Sequence, residues 1–211
     1  MATTPTAGTA PARVRTPLIA EVFQQDCFTA REKLFSFAPK FTFYDDAGNV
    51  LAFLRKKVFS WKDDIRVFTD PTQSFELLRI RGRQIIDFGA SFDVTDSLTG
   101  EKAGVLKRRG WKSLLRAEWD IFDRNEVEVG KIREDSPVLA ILRRLLGHWI
   151  PQGYTFEHHG NVVGTAQRTW NLLLPTMRVD FSLDTAKLLD RRLIVAAVVL
   201  LMTVERVEES N

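Results

Sequence analysis

From Leu193 to Val204 the chain runs for twelve residues without a charge. At about 100° per residue such a run leaves no polar stripe on a helix, so the helix must be enclosed on every side, by lipid or by protein. It spans roughly 18 Å at about 1.5 Å per residue, against a hydrocarbon core of about 30 Å. Arg191 and Arg192 bound it on one side and Glu205 and Arg206 on the other. A membrane span would therefore need snorkelling side chains and a thinned bilayer. Enclosure by protein is the reading that the rest of the pattern favours.

The remaining pattern is mostly that of strands. Aromatic-x-apolar triplets at Phe41/Phe43, Phe92/Val94, Trp119/Ile121 and Tyr154/Phe156 each lead through turn-forming residues into a second extended run. Alternation broken by Asp, Asn and Gly is the signature of a β-hairpin. The four return runs share a detail: Ala52, Gly104, Gly130 and Gly164 stand at equivalent places, each two residues before Leu54, Leu106, Ile132 or Ala166. Residues two apart on a strand face the same side. Glycine weakens a strand unless a bulge, a bend or a close neighbour requires it. Four such positions predict something bulky against that face. Further strands are predicted at 28–37, 65–69, 75–80, 84–88, 111–115 and 177–181, and a short helix at 138–147 behind Pro137.

These elements constrain one another. About a dozen antiparallel strands with one apolar face make a sandwich or a barrel. A sheet with small residues on its inner face can curl around a cylinder about 10 Å wide, which is a helix. The predicted fold is mainly β: a closed antiparallel barrel of about twelve strands around the hydrophobic C-terminal helix.

Composition narrows the picture only a little. Fifteen Phe and five Trp against two Tyr fit extended, aromatic-rich structure. Thirty basic and 27 acidic residues give a net charge of +3, too even a balance to imply nucleic acid. Cys27 is the only cysteine, which excludes an intrachain disulfide and a cysteine metal site. Residues 1–17, rich in Thr, Ala and Pro, read as a flexible tail before one domain at 18–211. Arg13 and Arg15 in that acid-free stretch leave a short transit segment as the alternative.

The segments Leu54-Arg-Lys-Lys-Val-Phe-Ser-Trp61, Phe92 to Arg109, Val179-Asp-Phe-Ser-Leu-Asp184 and Met202-Thr-Val-Glu205, in that order, resemble the tubby C-terminal-like superfamily. The likeness is to its phospholipid scramblase and LURP-one-related branch, and it covers roughly residues 20–207. The resemblance implies a twelve-stranded barrel around a C-terminal helix. It also implies a lipid-associated or scaffold-like protein rather than an enzyme. Scramblase relatives move phospholipids in response to calcium, tubby relatives bind phosphoinositides, and LURP-one relatives have no settled biochemical role. This chain departs from scramblases in lacking a cysteine-rich run and a long proline-rich arm. Before the helix the calcium candidates are Asp180 and Asp184, a thin site for Ca²⁺, which takes 6–8 oxygen ligands. Asp184 is expected to cap the helix instead.

Candidate chemistry is sparse. Basic clusters recur where strands end, at Arg55, Lys56 and Lys57, at Lys107, Arg108 and Arg109, and at Arg79, Arg81 and Arg83. Alternation puts the last three on one face if the strand continues past Gly82. Gathered at one barrel end, they would suit lipid headgroups or phosphate; the alternative is a solvated rim whose charges discourage edge pairing. His158 and His159 are read as turn residues, His148 as packed near Trp149, and Cys27 as half-buried rather than nucleophilic. Asp63, Asp64 and Asp70 make a carboxylate site or, more simply, a solvated turn. No phosphate loop or nucleophile elbow is present, and no cofactor is expected beyond the weak calcium candidates.

The expected function is non-enzymatic binding of anionic phospholipid or a membrane surface by a cytoplasmic protein, peripheral at the membrane. The alternative is a soluble protein-interaction or regulatory module, and no nucleic-acid partner is expected.

Overall fold

The computed structural model describes residues 20–33, 40–55, 64–83, 90–109, 118–134, 152–169 and 174–209, with side chains up to Thr203 in the last stretch. Twelve strands build it: β1 (Cys27–Lys33), β2 (Lys40–Tyr44), β3 (Val50–Arg55), β4 (Asp64–Phe68), β5 (Glu76–Gly82) and β6 (Ser91–Asp96), then β7 (Lys102–Arg108), β8 (Glu118–Phe122), β9 (Glu128–Glu134), β10 (Gln152–His158), β11 (Asn161–Thr169) and β12 (Thr176–Asp180). Each pairs antiparallel with its neighbours in sequence, and β1 closes on β12 from Cys27↔Asp180 to Arg31↔Thr176, completing a barrel. The helix α1 (Arg191–Glu209) follows. The barrel with a central helix is thus as the sequence predicts. The expected elements at 84–88, 111–115 and 138–147, the 1–17 tail, and residues Lys56, Lys57, Asp63 and His148 lie outside the described residues.

Sequence order explains why the barrel has two unlike ends. Hairpin turns join β2 to β3, β4 to β5, β6 to β7, β8 to β9 and β10 to β11 at one rim, called here the hairpin rim. The other rim gathers the ends of odd strands and the starts of even ones, and the longer connections leave from it. We call this the connection rim. Aspartates organise the hairpin rim. Asp45 accepts from the Asn49 amide at 2.7 Å, Asp70 from Thr72 at 2.7 Å, Asp96 from Leu98 at 2.9 Å and Asp123 from Asn125 at 2.9 Å. These are side-chain acceptors closing a turn locally.

Every hairpin carries one bulge, just after its turn. The register skips Leu51, Leu77, Ala103, Val129 and Val163 in the five return strands. Alternation therefore breaks there, and Leu51 with Ala52 and Leu77 with Leu78 are consecutive buried residues. A bulge sharpens strand bending, and five at one level curl the sheet around its contents. The β4–β5 hairpin forms from the strands predicted at 65–69 and 75–80 but stands outside the repeated pattern, because Leu78 stands where the others have Ala or Gly.

The small residues face what was expected of them. A Cβ on Gly104 would collide with the Phe122 carbonyl and lie 3.1 Å from Leu193 Cδ1; on Gly130, it would meet the Glu157 carbonyl and lie 3.2 Å from Leu189 Cδ2. At Gly164 it would lie 2.6 Å from the Phe181 ring. The helix and the segment leading into it therefore sit directly against these strands.

Inside the barrel, Leu193 through Thr203 are all buried, among Phe28, Phe41, Phe43, Trp119, Tyr154 and Phe156. The polar Thr203 is satisfied by its hydroxyl donating to the Val199 carbonyl at 2.7 Å. Among the described residues, no helix is long and apolar enough to cross a membrane. One expectation needs correction: Asp184 does not cap the helix. Asp190 does, its carbonyl accepting from the Leu193 and Ile194 amides and its side chain from the Arg192 amide at 2.9 Å. Asp184 lies a full turn-rich segment earlier.

Candidate functional site

Strand ends bring the three basic clusters to one end of the barrel. Arg55 closes β3, Arg79, Arg81 and Arg83 occupy the end of β5, and Lys107, Arg108 and Arg109 the end of β7, all at the connection rim. Strand β5 runs to Gly82, and the Arg83 amide still donates to the Ser91 carbonyl at 2.8 Å. The three arginines therefore share the outer face, as alternation predicts.

Proximity does not make them equal. Arg79 pairs with Asp64, which Arg66 also holds at 3.0 Å. Arg83 forms a fork to Asp93 at 2.6 and 2.8 Å and reaches Glu126 at 2.6 Å, which Lys102 contacts as well. Arg109 holds Asp120 at 2.8 Å. These guanidinium contacts have clear electrical consequences. The Arg79 hydrogen bonds hold the Asp64 carboxyl below its ordinary value, and the Arg83 fork does the same to Asp93. Arg83 and then Lys102 hold Glu126 down to about 2. Such pairs tie neighbouring strands together, and their positive charge is already answered.

Arg55, Arg81 and Lys107 differ. All three are exposed, and among the described residues no ion pair joins any of them. Two further cations at this rim escaped the sequence reading, Lys33 at the end of β1 and Lys40 at the start of β2. Neither belongs to a run of basic residues, so only strand order brings them into view. Arg108 is half-buried.

A second polar group lies inside the same end. Glu32, Glu134, Gln152 and Arg168 are buried and point inward from β1, β9, β10 and β11. Gln152 donates to Glu134 and accepts from Arg168, both at 3.3 Å. The signal in the sequence was a charged residue at an inward position of an alternating strand, as in Phe28, Ala30, Glu32.

At the hairpin rim, Arg191 anchors the helix start. It donates to Asp184 and to Asp26, each at 2.7 Å, and its guanidinium lies 5.1 Å from the Phe181 ring centre. Asp184 also accepts from the Leu188 and Leu189 amides at 2.7 and 3.2 Å. A cation would compete there with Arg191 for the same carboxylate. Asp180 is spent on its own turn, accepting from the Ser182 amide at 2.9 Å. Among the described residues, no group of three or more potential ligands could hold a metal ion.

The other candidates fall to their simpler readings. Asp64 and Asp70 sit at opposite ends of β4, so they form no shared carboxylate site; hydrogen bonds from Thr72 and Thr69 take the Asp70 carboxyl to about 2. His159 adopts a positive φ of 47° in the turn, its ring 4.4 Å from that of His158. Burial and the neighbouring Asp180 push the Cys27 thiol up, away from a nucleophilic thiolate.

Comparison with sequence families adds one positive finding. The family model described as LURP-one-related matches residues 26–202, from the first strand to the buried part of the helix. No curated protein matches the chain.

Proposed function

The chain belongs to the LURP-one-related family, within the tubby-like superfamily, and from that premise we propose that it is a non-enzymatic barrel that binds the surface of an anionic phospholipid membrane. The observation that carries this reading is the set of exposed cations at the connection rim, Arg55, Arg81 and Lys107, none of which forms an ion pair among the described residues. The opposite rim presents the turn aspartates, whose charge would be repelled.

Binding, rather than movement of lipid, suits a barrel whose interior is filled by buried side chains of α1. A lysine or arginine beside an anionic leaflet is worth about 1 kcal/mol. Three of them give about 3 kcal/mol, which is a peripheral and reversible attachment. The leaflet rich in anionic lipid faces the cytoplasm, where this reading puts the protein.

The test is sedimentation with phosphatidylcholine vesicles, with and without phosphatidylserine. Binding is expected only to the anionic vesicles, falling steeply as salt shortens the Debye length from about 30 Å at 0.01 M to about 8 Å at 0.15 M. Reversing Arg81 and Lys107 to glutamate is expected to weaken it at least tenfold. Equal retention on neutral and anionic vesicles contradicts the proposal.

A further inference from the structure

Three cations stand side by side at the connection rim. Lys33 of β1 is directly opposite Lys40 of β2, and Lys40 is directly opposite Arg55 of β3. Directly opposed residues lie about 4.5–5.5 Å apart at Cα, so the row extends about 10 Å around the barrel. All three side chains are on the outer face, since their strand neighbours Glu32, Phe41 and Leu54 are buried inside. Glu32, the acid next to Lys33 in sequence, is thereby turned away from the row.

Like charges directly opposed across a strand pair are unfavourable. Elsewhere acids answer the cations: Arg81 is opposite Asp64 and Asp93, Arg133 is opposite Glu118, Lys131 is opposite both Asp120 and Glu157, and the directly opposed Arg66 and Arg79 share Asp64. At Lys33, Lys40 and Arg55 no acid intervenes, and among the described residues none forms an ion pair with them. One step below the row, Arg31 is opposite Thr42 and Thr176, and its guanidinium lies 4.8 Å from the Tyr44 ring centre. Tyr44 is two residues nearer the hairpin rim than Thr42, so this stacking draws Arg31 away from the row and leaves Lys33, Lys40 and Arg55 to form it.

We propose that Lys33, Lys40 and Arg55 form a binding site for a terminal phosphate, a phosphomonoester. A phosphomonoester carries up to two negative charges and three terminal oxygens. It can answer two ammonium groups and one guanidinium fork at once. A phosphodiester headgroup offers one charge and two free oxygens, which leaves part of the row unanswered. The site therefore discriminates by phosphate type as well as by charge. This deepens the membrane reading and rests on it only for the source of the phosphate, which is a lipid headgroup.

The test compares the wild type with Lys33→Gln/Lys40→Gln, two surface changes that leave the core intact. The probes are phosphatidylcholine vesicles carrying phosphatidic acid, vesicles carrying phosphatidylserine at matched surface charge, and free pyrophosphate. The wild type is expected to prefer phosphatidic acid by tenfold or more, and the variant to lose that preference. Pyrophosphate is expected to shift the backbone amide resonances of Lys33, Lys40 and Arg55. If the wild type binds both anionic vesicles and the variant binds them identically, the site is wrong while the membrane reading stands. If pyrophosphate binds at these residues but no vesicle does, the site stands with a soluble phosphate as its source and the membrane reading falls. A wild type that binds neither pyrophosphate nor phosphatidic acid overturns the site.

Discussion

Val198→Asp abolishes folding of the whole barrel. Val198 sits at the middle of the buried face-all-round helix, where every side chain from Leu193 to Met202 is at most 2% exposed. A carboxylate placed there has no described basic residue on its own helix nearer than Arg192, and its desolvation costs several kcal/mol even after relaxation. That is a large part of the roughly 5–15 kcal/mol that stabilises a domain. The loss spreads through the barrel, since the inner faces of its strands pack on the helix and the segment leading into it. The milder Val198→Ala removes two methyl-sized groups, costs about 2 kcal/mol and folds. Soluble yield and near-ultraviolet circular dichroism separate the outcomes. A folded, soluble Val198→Asp protein would mean that the barrel stands without its core helix.

Asp184→Ala costs about 3–5 kcal/mol, the usual penalty for stripping one partner from a buried ion pair. The loss strikes three groups together: the Arg191 guanidinium and the amides of Leu188 and Leu189. Asp26 still meets Arg191, but from a half-exposed position. Burial alone would raise the Asp184 carboxyl; the Arg191 hydrogen bond and the two amides outweigh it and hold it below its ordinary value. The sign of the pH effect follows. A carboxyl depressed in the folded state contributes stability that is fully present above its unfolded pKa of about 3.9 and is lost as pH falls through the folded value. Urea midpoints at pH 7 and pH 3 should therefore differ more for the wild type than for Asp184→Asn. Identical pH dependence in the two proteins would remove Asp184 from the account.

Local pattern carried much of the fold. The aromatic-x-apolar openings and the small residues at Ala52, Gly104, Gly130 and Gly164 exposed four hairpins, and the uncharged run after Arg192 exposed the helix. The fifth hairpin showed only as two predicted strands, outside that pattern, because Leu78 fills inward space that the others leave to the helix and its leading segment. The cap was misread for a related reason. Asp184 has the composition of an N-cap, but hydrogen bonds spanning 184–190 fold that segment before the helix begins.

The site was less legible, for a physical reason. Charge becomes informative only once register decides what it faces. Arg83 and Glu126 are 43 positions apart and Arg191 and Asp26 are 165 apart, so no window of sequence reveals that these arginines are answered. Conversely, Lys33 and Lys40 look like isolated surface lysines until pairing sets them beside Arg55. Strand order, which the repeated hairpins do imply, was enough to gather the basic clusters at one rim. It could not say which of them remain open.

The most direct test of the account is which end of the barrel meets the membrane. In a Cys27→Ser background, a fluorophore is attached to a single thiol at Ser91→Cys on the connection rim or at Asn125→Cys in the β8–β9 turn. Each protein is mixed with phosphatidylcholine–phosphatidylserine vesicles carrying a lipid-borne quencher. The account predicts strong quenching at position 91 and little at position 125. Quenching at 125 as strong as, or stronger than, that at 91 would contradict it.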